Sequence, residues 1–190
     1  MATATKPSYL GTLNAISLAE SGAGVYLEAW ANATPDEDLA SVLRCVAARE
    51  TSHGDVFCRR ISELGFSLML KPDPGSEARL AKVANPKISD LEKIGPERAD
   101  EKDPFADIES QMADGIYDPL TAKMMTWYIA EERDSGKQLR DAYASARAKA
   151  NPASANGHAN GLVDTQAIID CMTAGFARIE TALTKIAAKK

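Results

Sequence analysis

One helical stripe in this chain combines apolar side chains with a glutamate and a histidine. It consists of Leu43, Val46, Glu50, His53 and Phe57. These positions advance by three or four residues, so they lie on one face of an α-helix. An apolar face is normally buried, and an ionised glutamate is rarely buried without a partner or a metal ion. The stripe therefore predicts a helix that carries a chemically important polar pair into the protein core.

The arrangement returns in the second half of the chain with one change. The second stripe consists of Met125, Tyr128, Glu132, Ser135 and Leu139. Residues 48–54 align with residues 130–136, and in this alignment the glutamate is kept while Ser135 replaces the histidine. The sequence thus contains a weak internal repeat that has lost one imidazole.

Helical spacing prevails along the chain, and the alternation typical of strands is absent. We expect long helices at about residues 8–32, 36–64, 103–117 and 119–148, with a short helix at 76–83. Prolines after Thr34 and after Asp118 separate the helices within each half. The region 66–104 is rich in proline, glycine and charge, and is long enough to travel along a bundle. The sequence therefore predicts an all-α four-helix bundle with a long crossover between its second and third helices.

The end of the chain has a different pattern. Residues 151–161 are rich in asparagine, glycine and alanine, which predicts a flexible linker after a domain formed by residues 1–150. The segment 162–190 has apolar residues at the three- and four-residue steps of a heptad helix. We expect this amphipathic helix to form a homo-oligomer or to bind a partner helix; folding back onto its own bundle is the alternative.

Composition argues against several classes of function. The 190 residues carry a net charge of -5, which provides no basic surface for nucleic acid or for an anionic membrane. No apolar run approaches the roughly 20 residues of a membrane helix, and the first twenty residues lack the features of a targeting peptide. The cysteines, Cys45, Cys58 and Cys171, have no zinc-ligand spacing. We expect a cytoplasmic protein with reduced thiols and with neither nucleic-acid nor membrane partners.

Each of the four predicted helices carries one glutamate within its apolar stripe, namely Glu20, Glu50, Glu109 and Glu132. A glutamate from each of four helices, together with Glu-x-x-His, is the ligand pattern of carboxylate-bridged di-iron bundles. Bridging carboxylates hold two cations close together because they offset the repulsion between them. In this pattern one nearly complete half of the site consists of Glu20, Glu50, His53 and Glu132. Glu109 is the terminal carboxylate of the other half, where Ser135 takes the place of an imidazole.

Over residues 8–148 the chain resembles the ferritin-like superfamily, in particular its rubrerythrin-type domain. The residues that carry the resemblance are Glu20, the run Arg49-Glu50-Thr51-Ser52-His53-Gly54-Asp55-Val56-Phe57, and the run Ile129-Ala130-Glu131-Glu132-Arg133-Asp134-Ser135-Gly136-Lys137-Gln138-Leu139. The resemblance implies two bound irons, or in some members manganese, and either reduction of oxygen or peroxide or oxidation of ferrous iron for storage. By position it implies the metal ligands Glu20, Glu50, His53, Glu132 and Glu109. Ser135 departs from the family pattern, and no rubredoxin-like cysteine motif is present.

Three alternatives stay open at this stage. Glu50 and His53 can form a hydrogen-bonded pair in a metal-free core, and Glu132 can lie on a solvated face, with Glu131 offering a register one residue earlier. The whole domain can also be a metal-free helical interaction or assembly module. Inward carboxylates without a metal are energetically unfavourable. The sequence therefore favours metal binding at an incomplete di-iron site, and the resemblance implies that the metal is iron and that any activity is of the ferroxidase or peroxidase type.

Overall fold

The structure is a computed structural model that describes residues 5–95 and 103–151 of the chain. These residues form helices and no strand: α1 Leu10–Ala33, α2 Glu37–Glu63, α3 Ser76–Ala84, α4 Asp90–Ile94, α5 Ala106–Ala113 and α6 Pro119–Ala150. The all-α prediction is confirmed for this part of the chain, whereas the four-helix bundle with a crossover stays a prediction. The predicted linker 151–161, apart from Asn151, and the predicted helix 162–190 lie outside the described residues.

The two long helices that follow the predicted breaks begin at aspartate caps. The Asp36 carboxylate accepts hydrogen bonds from the backbone N–H groups of the first turn of α2. The Asp118 carboxylate does the same for α6, and Pro119 opens that helix. Gly65, with a φ of 85°, follows the end of α2 in the left-handed conformation that glycine adopts without strain. These local signals set the bounds of the helices that carry the polar residues.

Helix α1 packs along α2, α3 packs against α1, and α6 packs against α2. Their apolar residues form two clusters. The Trp30 cluster includes Leu27, Trp30, Leu39, Leu43, Val46, Leu139 and Tyr143. The Phe57 cluster includes Leu13, Ile16, Phe57, Ile61, Phe105, Ile108, Met125 and Tyr128. Along each of α1, α2 and α6, the buried glutamates and the histidine lie between these two clusters, so the polar site is closed by apolar packing on both sides.

Helices α1 and α2 approach each other closely at the level of the polar residues. A Cβ atom added at Gly54 would lie only 3.0 Å from the backbone nitrogen of Ser21 and 3.2 Å from the carbonyl oxygen of Ser17. The Ser17 hydroxyl also donates a 2.8 Å hydrogen bond to the Gly54 carbonyl. Glycine at position 54 therefore permits the contact that places Glu20 of α1 beside Glu50 of α2.

The third predicted long helix differs from the structure. Helix α5 has eight residues, of which Ile108 is buried. Phe105, which directly precedes the helix, is also buried. The predicted third helix, which extended to residue 117 with Glu109 facing inward, is therefore wrong at Glu109, because the apolar Ile108 takes the inward position and turns the next residue away from it. Ile116 is 45% exposed. Among the described residues, no helix is both long enough and apolar enough to cross a bilayer.

Candidate metal centre

Four side chains of metal-ligand type meet between the two apolar clusters. Glu20 comes from α1, Glu50 and His53 come from α2, and Glu132 comes from α6. Each offers one ligand atom, and these atoms all lie within 4.8 Å of one another. All four residues are buried, including Glu132, which is 4% exposed. The predicted convergence of these four residues is confirmed, and the alternative of a solvated Glu132 is wrong.

One atom of each residue is buried without a hydrogen-bond partner, and these atoms are Glu20 Oε2, Glu50 Oε2, His53 Nδ1 and Glu132 Oε1. His53 Nδ1 lies 2.9 Å from Glu132 Oε1, but the approach lacks hydrogen-bond geometry. The same nitrogen lies 4.0 Å from the nearest oxygens of Glu20 and Glu50, so a simple hydrogen-bonded Glu50–His53 pair is not formed. Buried polar atoms without partners destabilise a fold. A single cation among them would give all four a partner, so the residues present fit a metal ion.

The imidazole of His53 is oriented by Glu131, which the sequence offered only as an alternative register for Glu132. His53 Nε2–H donates a 2.9 Å hydrogen bond to Glu131 Oε2. Glu131 precedes Glu132 on α6 and is 35% exposed. A bond at Nε2 leaves the lone pair of Nδ1 facing the buried carboxylates, the arrangement by which a carboxylate commonly orients a metal-binding histidine. Glu131 therefore contacts Nε2 of the His53 ring, whereas Glu132 lies beside Nδ1 on its opposite side.

Two aromatic residues of α6, Trp127 and Tyr128, contact the residues of the cluster. The buried Tyr128 hydroxyl donates a 2.7 Å hydrogen bond to Glu20 Oε1, which leaves Oε2 facing the cluster. The Tyr128 and Trp127 rings contact the His53 ring edge-on, with centroids 5.2 Å and 4.9 Å away. Tyr128 was part of the predicted stripe without a role. Its position four residues before Glu132 is the signal that places it on the same helix face.

Burial perturbs the protonation of the cluster. Burial and the neighbouring Glu132 raise the pKa of Glu50 to about 8. Burial and the charge of Glu20 raise the pKa of Glu132 to about 7, and burial with Glu50 raises the pKa of Glu20 well above its usual range. Burial alone would lower the pKa of His53, but Glu132 and Glu131 outweigh it and raise that pKa. Without a cation, the cluster therefore retains protons that a bound metal would displace.

Glu109 does not join this cluster. Its side chain is 41% exposed and forms a bidentate ion pair with Arg133, at 2.8 Å and 3.0 Å. Arg133 also contacts Asp103 at 2.7 Å. The prediction of Glu109 as a ligand beside the other four is corrected: the register of α5 turns Ile108 inward, and Arg133 holds the carboxylate at the surface.

Ser135 occupies the position where the repeat predicts an imidazole. It is buried and lies one turn after Glu132 on the same face of α6. Arg49 of α2 reaches it: Nη1 lies 3.4 Å from Ser135 Oγ and 2.6 Å from the carboxylate of Asp134. A guanidinium that is paired with a carboxylate therefore lies beside the Ser135 hydroxyl.

No known protein family, curated protein or solved structure gives a match to this chain. Function in any fold is decided by the residues of the site and their geometry, and here these are the four buried ligand residues and their neighbours.

Proposed function

We propose that this chain is a ferritin-like iron-binding protein whose ligands are Glu20, Glu50, His53 and Glu132. The observation that supports the proposal is the set of four buried, unpartnered ligand atoms within 4.8 Å of one another. Without a counter-ion, the three buried carboxyl groups can ionise only at the cost of mutual repulsion and lost hydration, which is why their pKa values are raised. One cation relieves both penalties, whereas a core built only for packing has no need of these side chains.

The donor set limits the metal. Three carboxylates and one imidazole, without a thiolate, suit divalent first-row metals such as iron and manganese, and also suit zinc. Among these, iron is the metal that the rubrerythrin-like sequence pattern implies, with manganese as the alternative. Iron held there would supply one-electron redox chemistry towards oxygen or peroxide, which is the oxidoreductase class that the resemblance suggests.

The surrounding residues have separate tasks in this proposal. Glu131 orients the imidazole of His53, and Tyr128 holds one oxygen of Glu20. The Trp30 and Phe57 clusters exclude water from both sides of the site. Packing of Phe105 and Ile108 into the Phe57 cluster brings the region of α5 to the same core as α1, α2 and α6. This packing supports a ferritin-like four-helix arrangement with residues 66–104 as the crossover.

Metal analysis tests the proposal. The wild-type protein and the variants Glu50→Gln, His53→Ala and Glu109→Gln are purified from iron-replete cells, and the iron, manganese and zinc per chain are measured by mass spectrometry. Glu109→Gln is a matched control, because it makes the same change at a glutamate outside the cluster. We expect iron in the wild type and in Glu109→Gln, and a loss of most of it in the other two variants.

Two results would contradict the proposal. One is wild-type protein that stays free of metal even after anaerobic incubation with ferrous iron. The other is metal content that is unchanged in a folded His53→Ala variant, with folding checked by circular dichroism. Either result would favour the alternative function, a metal-free helical interaction module.

A further inference from the structure

The internal repeat extends to contacts outside the four ligands. In the alignment of residues 48–54 with residues 130–136, Arg49 corresponds to Glu131 and His53 corresponds to Ser135. The structure joins these positions crosswise between α2 and α6. Glu131 contacts His53 at 2.9 Å, and Arg49 contacts Ser135 at 3.4 Å. The same pair of positions therefore meets twice, once as an acid with an imidazole and once as a guanidinium with a hydroxyl.

The two contacts have opposite chemical consequences for a metal. The glutamate of the first contact turns an imidazole nitrogen towards the buried carboxylates. In the second contact, serine offers no nitrogen ligand, and arginine carries a positive charge that it does not lose at any accessible pH. A cation beside Ser135 would thus meet a repelling charge where the other half of the repeat provides a ligand.

We propose that the centre binds one metal ion per chain, and that Arg49 and Ser135 occupy the position of a second ion. This inference rests on the proposed metal site and specifies its stoichiometry. The guanidinium of Arg49 contacts Ser135 Oγ at 3.4 Å and the carboxylate of Asp134 at 2.6 Å, so it fills the space beside Ser135 where a second ion would need a ligand. Asp134, which also contacts Arg49, is 51% exposed, so water screens much of its charge.

A second divalent ion would meet the positive charge of Arg49 and would find a hydroxyl in place of an imidazole at position 135. The replacements at positions 49 and 135 are consistent with each other, because an imidazole at 135 would have no acid at 49 to orient it. Restoring a second ion therefore requires both residues to change together.

The experiment measures metal per chain in the full-length protein. Apoprotein is titrated anaerobically with Mn²⁺, and bound ions are counted by native mass spectrometry. The variants are Arg49→Glu, Ser135→His and the double variant with both changes, which repeats at the second position the Glu–His pair of the first. The control is Arg59→Glu with Ser135→His, which has the same net charge but changes an exposed arginine of α2.

We expect one ion per chain in the wild type, in both single variants and in the Arg59 control, and two ions in the double variant. Two ions in the wild type at saturation would overturn the inference. One ion in a double variant that folds, as judged by circular dichroism, would overturn the role of Arg49 and Ser135. A wild type that binds no Mn²⁺ and no ferrous iron would overturn the proposed function itself, which separates the two failures.

A second readout needs no variant. Mn²⁺ bound as isolated ions gives the sharp hyperfine lines of a single ion in electron paramagnetic resonance, whereas two close ions give a broad, coupled spectrum. We expect the isolated-ion spectrum in saturated wild-type protein. A coupled spectrum would overturn the inference even if the double variant did not fold.

Discussion

Glu131 and His53 are joined across α6 and α2 by a 2.9 Å hydrogen bond that ends at the outer nitrogen of the imidazole. Because Nε2 is engaged, the buried Nδ1 is the nitrogen that faces Glu20, Glu50 and Glu132. The bond also connects a fully buried ring to a carboxylate that reaches solvent. Glu131 is thereby the residue that sets the orientation of the only nitrogen ligand in the cluster.

Replacing Glu131 by alanine should weaken metal binding without removing a ligand. Loss of a carboxylate that orients a metal-binding histidine typically lowers affinity by about 10–100-fold. Competition with a chelator of known affinity measures the change, and Glu131→Gln, whose amide oxygen can still accept a hydrogen bond, should fall between the alanine variant and the wild type. Equal affinities for all three proteins would show that His53 is oriented without Glu131.

The metal-free protein should lose stability as the pH rises from about 5 to 8.5. The folded-state pKa values of Glu132 and Glu50 are raised to about 7 and about 8, so the folded state binds protons more tightly than the unfolded state does. The pKa of His53 is raised as well and acts in the same direction. Stability present at low pH is therefore lost as the pH passes through the folded-state pKa values.

Thermal unfolding in the presence of a chelator measures this loss, and a fall of several degrees is expected because about 1 kcal/mol shifts Tm by about 2–4 °C in a protein of this size. Metal-loaded protein should show the opposite trend, because protons compete with the metal for the same atoms. Glu50→Gln should flatten the apoprotein profile and abolish the increase in Tm on metal addition. An apoprotein that becomes more stable between pH 5 and 8.5 would contradict the burial of these carboxyl groups.

A methyl group at Gly54 should separate α1 from α2. The new Cβ would meet backbone atoms of Ser21 and Ser17, which cannot move without the helix. We expect Gly54→Ala to destabilise the protein by about 1–3 kcal/mol and to lower metal affinity, because Glu20 and Glu50 lie on these two helices.

Gly136→Ala is the matched control at the aligned position of the repeat. There the new Cβ would meet only the flexible end of Arg140 at 3.3 Å. Since alanine is the better helix former by about 1 kcal/mol, this change should be neutral or stabilising in chemical denaturation. If both variants were equally stable, the close contact at Gly54 would not be a requirement of the fold.

Deleting residues 162–190 should lower the oligomeric mass of the protein or abolish binding of a partner helix. The prediction comes from the heptad-like spacing of that segment, which lies outside the described residues. Light scattering of the full-length and truncated proteins tests it, with circular dichroism and metal content as controls for the domain of residues 1–150. An unchanged mass with no lost partner would contradict an assembly role.

Much of the site follows from periodicity alone. The stripes around Glu50 and Glu132 are long, and both flanks are apolar, so their spacing favours one buried helix face in α2 and in α6. Capping aspartates before α2 and α6 then set where those helices begin. These features are local, and a single sequence is enough to predict them.

The prediction for Glu109 was wrong and the role of Glu131 was missed because helical periodicity is ambiguous at both positions. In a helix as short as α5, steps of three and of four residues from Phe105 both fit, and only packing decides in favour of Ile108 over Glu109. Two adjacent glutamates raise a similar ambiguity at Glu131, whose role depends on where the ring of His53 lies in another helix. Such contacts depend on tertiary distances that helical spacing does not contain.

The central claim is that one cation is held by the four buried atoms. The most direct measurement is a crystal structure of protein loaded with iron or manganese, with anomalous diffraction recorded at the metal absorption edge. We expect one peak bonded to Glu20 Oε2, Glu50 Oε2, His53 Nδ1 and Glu132 Oε1, with the four atoms, which lie within 4.8 Å of one another without metal, drawn closer together around it. A peak at another position, or a loaded crystal with no peak among these four atoms, would contradict the claim.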